Sequence, residues 1–152
     1  MDIDQVIEII PSILKKQPDA GRTEFKVWYV DSWVIKQAKE FPSFNSGQSG
    51  GKIVVEKDIC DRYEKLKMLF HEYDCTAINF PETRYCAEHG VIIQQKIAGR
   101  VLNRDDNGDM GFFTKIKNEL EKKIPFIHKL TVLQARNIME DTSGELWLID
   151  LD

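Results

Sequence analysis

The chain has 152 residues, enough for one domain with a core of its own, and its 42% hydrophobic and 30% charged residues are the balance of an ordinary globular protein. A formal net charge of -4 gives no overall pull toward nucleic acid or an anionic membrane. The apolar runs fall far short of the roughly 20 residues that span a bilayer, so no membrane partner is expected.

The opening "MDIDQVIEIIPSILKK" starts with acids and lacks the basic stretch of a secretory signal. Cys60, Cys75 and Cys86 are odd in number and show no CxxC spacing, which points to reduced thiols in a cytoplasmic protein. With three His and no Cys pair beside them, a zinc site is not expected.

Along the chain, Ile3, Val6, Ile7, Ile10, Ile13 and Leu14 recur at helical spacing over residues 2–16, with Asp2 or Asp4 as cap. Pro11 is expected to bend that helix or end it early. "EFKVWYV", the tight turn "DS" and "WVIKQA" predict a hairpin, preceded by a loop that contains Gly21. "FPSFNSGQSGGK" reads as a polar, Gly-rich loop. Ile59, Tyr63, Leu66, Leu69 and Phe70 predict a helix from about residue 53 or 57 to 73. Next come a strand, a turn at Glu88–Gly90 and a buried strand "VIIQQKI" stopped by Gly99.

"RDDNGDMG" reads as a loop, and residues 112–130 as a second long helix that Pro125 kinks or shortens. The tail predicts a closing hairpin: "NIMED", the turn "TSGE", then "LWLID". This order gives an α+β fold, with a small antiparallel sheet and helices packed against it. Asn137 and Asp150 stand at the two ends of the closing hairpin. An amide oxygen and a carboxylate so placed suit Mg²⁺, which takes one or two protein oxygens and leaves its remaining positions to phosphates and water.

Four stretches in this order resemble the protein kinase and aminoglycoside-phosphotransferase superfamily. They are a strand ending in Lys36 ("WVIK"), a helix bearing acids, a strand running into "IIQQKIAG", and an Asn followed by a hairpin and "IDLD". The resemblance covers residues 20 to 152 and is closest to the minimal kinase domains of phage and mobile-element polyvalent proteins. It implies one minimal domain, with residues 1–97 like a kinase N-lobe and 98–152 like an abbreviated C-lobe. The chain stops at the family's metal-binding Asp, so the expectation is a minimal domain or a piece of something longer. A protein partner or a second copy is then expected to cover the abbreviated lobe.

By the resemblance, Lys36 holds the nucleotide phosphates and pairs with a helix Glu, Glu64 first and Glu56 in reserve. Gly21 is the one glycine left of the phosphate-covering loop. The stretch Gln94, Gln95, Lys96 and Ile97 matches the hinge, where Gln95 and Ile97 would hold adenine through backbone groups. Asn137 and Asp150, with Asp152 as a further ligand, would hold the Mg²⁺ of bound ATP.

One departure bears on catalysis. The family places an Asp five residues before this Asn to accept the proton of the attacking hydroxyl, and here that position is Val132. His128, Gln134 and Arg136 are the polar residues nearby, and Gln134 and Arg136 lie in the loop itself, where they can orient a substrate or touch a phosphate. General-base help is worth about 10²- to 10⁴-fold. The expectation is therefore nucleotide and metal binding with weak or atypical phosphotransfer. The alternatives are a pseudokinase-like or vestigial domain that acts as a protein-interaction module.

Overall fold

The computed structural model describes residues 1–21, 25–39, 55–131 and 133–149. Among the described residues it is an α+β fold with two small antiparallel sheets, four α-helices and a 3₁₀ turn. The chain divides into two compact units, Met1–Asp61 with Glu82–Lys96, and Arg62–Pro81 with Ile97–Asp152.

The first unit opens with helix α1 (Ile3–Leu14), whose start is a reciprocal cap. The Asp2 carboxylate accepts the Gln5 N–H at 2.9 Å, and the Gln5 side chain accepts the Asp2 N–H at 2.8 Å. The helix does not stop at Pro11 but runs through it to Leu14. A proline there costs roughly 3 kcal/mol. Ile3, Val6, Ile10 and Ile13 form one buried stripe on both sides of it, and burying each is worth about 1.5–3 kcal/mol. The stripe outweighs the break.

Strands β1 (Ala20–Gly21), β2 (Phe25–Val30), β3 (Trp33–Ala38), β4 (Thr83–Cys86) and β5 (Val91–Gln95) form one sheet in the order β1-β2-β3-β5-β4. The β2–β3 hairpin turns at Asp31, which takes a left-handed φ of 54°, a conformation that Asp tolerates better than most residues. The β4–β5 turn closes on Gly90 at φ 64°. Helix α2 (Val55–Glu72) begins in this unit and ends in the next.

In the second unit, Tyr63, Leu66 and Phe70 of α2 pack in one core with Phe113, Ile116 and Leu120 of α3 (Asn107–Lys123) and with Ile138 and Leu148. The single helix expected over 112–130 is in fact two. α3 starts earlier, where Asp106 caps it by accepting the Asp109 N–H, and α4 (Ile127–Leu130) follows a break. The break has a local cause. Ile124 precedes Pro125, and the proline ring pushes it off helical geometry, to φ -128° and ψ 81°. Part of "RDDNGDMG" is therefore the first turns of α3 rather than loop.

Strands β6 (Gly99–Val101), β7 (Ile138–Asp141) and β8 (Leu146–Leu148) make the second sheet, in the order β6-β7-β8. Gly99 is required where β6 meets β7: a Cβ there would run into the Glu140 carbonyl and lie 2.8 Å from the Asp141 Cα. The expected closing hairpin is present, with Gly144 at φ 85° in its turn.

Candidate functional site

The pleat and register of the first sheet sort its side chains onto two faces. Trp28, Trp33, Ile35, Cys86, Val91 and Ile93 share one face and pack with the α1 stripe in a single core. α1 is also bonded to that face at both ends. The Trp33 indole N–H donates to the Met1 carbonyl (2.9 Å) and the Trp28 indole N–H to the Lys16 carbonyl (3.1 Å).

The opposite face carries Phe25, Val27 and Tyr29 of β2, Val34 and Lys36 of β3, and Ile92 and Gln94 of β5, with Gln94 directly across from Val34. Lys36 lies in register with Val27 and Ile92, and Val34 with Tyr29. Here α2 covers only a part, where Ile59 and Cys60 pack on Ile92 with Phe25 and Tyr85 beside them. Val34 is half-buried and Tyr29 is 48% exposed. The result is a half-face of mostly apolar side chains, with the Gln94 amide beside Val34 and the Lys36 ammonium at its edge toward α2.

Glu56 stands in the first turn of α2, and its Oε1 accepts the Ala38 N–H at 2.8 Å. This carboxylate is thus tied to the end of the strand that carries Lys36. Glu64, the first choice from sequence, is exposed in mid-helix and belongs to the second unit. There it lines a cavity of about 470 Å³ together with Met68, His71, Cys75 and Phe80. Burial pushes the Cys75 thiol up, which keeps it protonated.

At the exit of β5, the Gln95 N–H donates to the Glu82 carbonyl and the Lys96 N–H to the Ser32 carbonyl, each at 2.8 Å. The Gln95 side-chain oxygen accepts the Glu82 N–H at 3.2 Å. Gln94 is buried and donates to the Thr83 hydroxyl at 3.0 Å. Ile97 follows in the second unit and is half-exposed. Gly21 forms the short strand β1 opposite Lys26.

In the second unit, residues 135–137 form a 3₁₀ turn with alternating burial: Leu133, Ala135 and Asn137 are buried, Gln134 and Arg136 exposed. The Asn137 amide oxygen accepts the Gln134 N–H at 2.9 Å, and its backbone carbonyl accepts the Ile149 N–H at 2.8 Å. A carbonyl oxygen has two lone pairs, so this buried amide can still offer one to a cation. That fits Mg²⁺, which needs few protein ligands once phosphates supply the rest. Val132, Asp150 and Asp152 lie outside the described residues. Among the described residues no group of three or more His, Cys, Asp or Glu is arranged to hold a metal ion.

Two carboxylate clusters nearby escaped the sequence reading. Asp109 is buried and takes a two-pronged bond from Arg100 (2.8 and 3.0 Å) and one from the Asn103 N–H (2.9 Å). These bonds, Arg100 foremost, hold its carboxyl below the usual range. Asp141 accepts from the Trp147 indole, the Ser143 N–H and hydroxyl, and the Glu145 N–H. These bonds, Trp147 foremost, lower its pKa to about 2. In both clusters each carboxylate oxygen already accepts at least one hydrogen bond from within the fold. The signal for the second was in "DTSGELW", an Asp two residues before a Ser in a turn.

Among the described residues no helix is long and apolar enough to cross a membrane. No protein-family model matches the chain, and no curated protein matches it either.

Proposed function

We propose that this chain is a kinase-like domain that binds a nucleoside triphosphate with Mg²⁺, ATP being the first candidate. The carrying observation is the half-open sheet face with Lys36 at its edge. An apolar plate beside an ammonium is the complement of a flat base joined to phosphates. Protein kinases hold the phosphates with a Lys on the third strand and steady it with a Glu from the following helix. Lys36 is on β3 and Glu56 opens α2. Its bond to Ala38 favours Glu56 over Glu64 as the steadying group. Asn137, buried just ahead of a hairpin that leads to Asp150, supports the metal half of the reading.

In this reading the chain's own groups act by position and charge. In the first unit Lys36 would neutralise phosphate oxygens with Glu56 orienting it, and in the second Asn137 and Asp150 are the groups that would hold Mg²⁺, whose chemistry would be neutralisation of phosphate charge. With Val132 in place of the carboxylate base, binding exceeds transfer, and any phosphotransferase activity on a protein or small molecule is weak.

Thermal melting with ATP, with and without Mg²⁺, tests this on the wild type and on Asp150→Asn. At ~100-fold excess over Kd the ligand adds roughly 2.7 kcal/mol. A Mg²⁺-dependent rise in Tm that Asp150→Asn abolishes is the expected result. No rise in either protein sinks the reading and leaves the interaction-module alternative.

A further inference from the structure

Strand β5 runs through the first sheet as Val91, Ile92 and Ile93, and then places an amide, Gln94, where a central strand ordinarily carries an apolar side chain. Gln94 is only 6% exposed, and its register with Val34 and Thr83 sets it on the half-open face. Its amide nitrogen donates to the Thr83 hydroxyl at 3.0 Å. Among the described residues its amide oxygen accepts no hydrogen bond, and that oxygen is not sealed from solvent. An amide oxygen withdrawn from most of its water and given no donor costs stability, so it calls for a use. The bond to Thr83 does not supply one, since β4 and β5 are already paired through their backbones from Thr83–Gln94 to Cys86–Val91.

Gln94 also lies within the span of a nucleotide anchored on Lys36. Val34, directly across from Gln94, is two residues from Lys36 along β3, about 6.6 Å at 3.3 Å per residue, and neighbouring strands lie about 4.8 Å apart. The two backbones are therefore about 8 Å from each other. Toward α2 the face is filled by Ile59, Cys60, Phe25 and Ile92. A nucleotide with its phosphates on Lys36 then lays its base over Val34, with its edge toward Gln94. Two other polar groups at this end stand at the rim. The Lys96 ammonium lies 4.8 Å from the centroid of the Tyr29 ring, and Asp19 accepts the Tyr29 N–H at 2.8 Å. Both Lys96 and Asp19 are exposed, so a bond from either to a ligand replaces one to water and gains little. The backbone N–H groups of Gln95 and Lys96 already donate to the Glu82 and Ser32 carbonyls. The Gln94 oxygen, with little water of its own, gains most from a donor.

We infer that Gln94 holds the base of the bound nucleotide directly, its amide oxygen accepting a hydrogen bond from the exocyclic amino group of adenine. The inference rests on the nucleotide reading above and deepens it. The resemblance assigns adenine to backbone groups of the hinge, whereas here a side chain of β5 reads it. Thr83 engages the amide nitrogen, which leaves the oxygen as the group that faces the ligand.

The test pairs two nucleotides with two chains. Purine riboside triphosphate is ATP with hydrogen in place of the amino group. Each is titrated with Mg²⁺ against the wild type and against Gln94→Met, which keeps the length of the side chain and removes its hydrogen bonds. Melting or tryptophan fluorescence reads the binding. In the wild type, loss of the amino group should weaken binding by about three- to tenfold, the effect of one hydrogen bond. Gln94→Met should weaken ATP by a similar factor and leave purine riboside triphosphate within about twofold, as expected of two groups in direct contact. Equal affinity of the two nucleotides for the wild type overturns the inference and leaves the nucleotide reading standing, whatever the stability of the variant. So does a preference for ATP that survives Gln94→Met, which assigns the amino group to another acceptor such as Asp19 or gives Gln94 a structural role only. Binding of neither nucleotide to the wild type overturns both.

Discussion

The two faces of the five-stranded sheet are made from the same strands and meet different fates. One meets a helix that matches it along its length, with Trp28, Trp33, Ile35, Val91 and Ile93 all under α1. The other meets α2 over one part only and leaves Val34 and Tyr29 partly in water, next to a lysine. A protein has no reason of stability to leave apolar side chains half covered beside a charge, because closing the face would bury more apolar area. Among the described residues, the uneven covering thus separates a face that α1 closes from one that α2 covers only in part.

The largest expected effect comes from damaging the closed face. Ile10 of α1 is fully buried, and Ile10→Ala should cost about 2–5 kcal/mol, the range for such truncations in packed cores. Val34→Ala on the open face should cost about 1 kcal/mol or less, since the side chain is only half-buried. Chemical denaturation of both variants reads the contrast. Equal losses would mean that the open face is covered after all, and the comparison would break.

Lysines sharpen it next. Lys36 points to the open face and Lys26 to the other, where it is exposed. Lys36→Met should weaken Mg²⁺–nucleotide binding by on the order of ten- to a hundredfold, as loss of a charge-assisted bond does. Lys26→Met should leave it unchanged. A similar loss from both would point to general electrostatic attraction rather than a site.

Much of this arrangement was legible in the sequence, because it depends on local patterns. The alternation of Phe25, Val27 and Tyr29 and the "DS" turn set the β2–β3 hairpin, and the hairpin sets which face Lys36 takes. Pro125 broke the third helical stretch through the residue before it, a local effect that the sequence allowed for. The helix runs through Pro11 rather than ending there because the proline's cost is local while its compensation, the fit of the Ile stripe to two tryptophans, comes from residues distant in the chain. The choice between Glu56 and Glu64 was hidden for the same reason. Helical spacing places both acids on α2, and only the bond to Ala38 ties one of them to β3. The Tyr29–Lys96 pair joins residues from β2 and the end of β5, which no spacing rule connects.

The smallest effect concerns carboxylates, which divide as the sheet faces do into tied and available. Glu56 has one oxygen on Ala38, whereas Asp141 has bonds on both of its oxygens. A carboxylate that only holds a turn together should report on pH and not on ligand. The Asp141 pKa is lowered to about 2, so its folded value lies below the ordinary value of about 3.9 that it has when unfolded. The sign follows from linkage: the ionised form favours folding, so its contribution is complete above about pH 4 and fades as pH falls toward 2. Asp141→Asn should therefore lower Tm modestly at neutral pH, and the gap from wild type should narrow between about pH 4 and pH 2. Nucleotide affinity at pH 7 should be the same in both. A gap that stays constant through that window would show that the loss comes from hydrogen-bond geometry and not from charge. A change in nucleotide affinity would move this hairpin from the tied class to the available one.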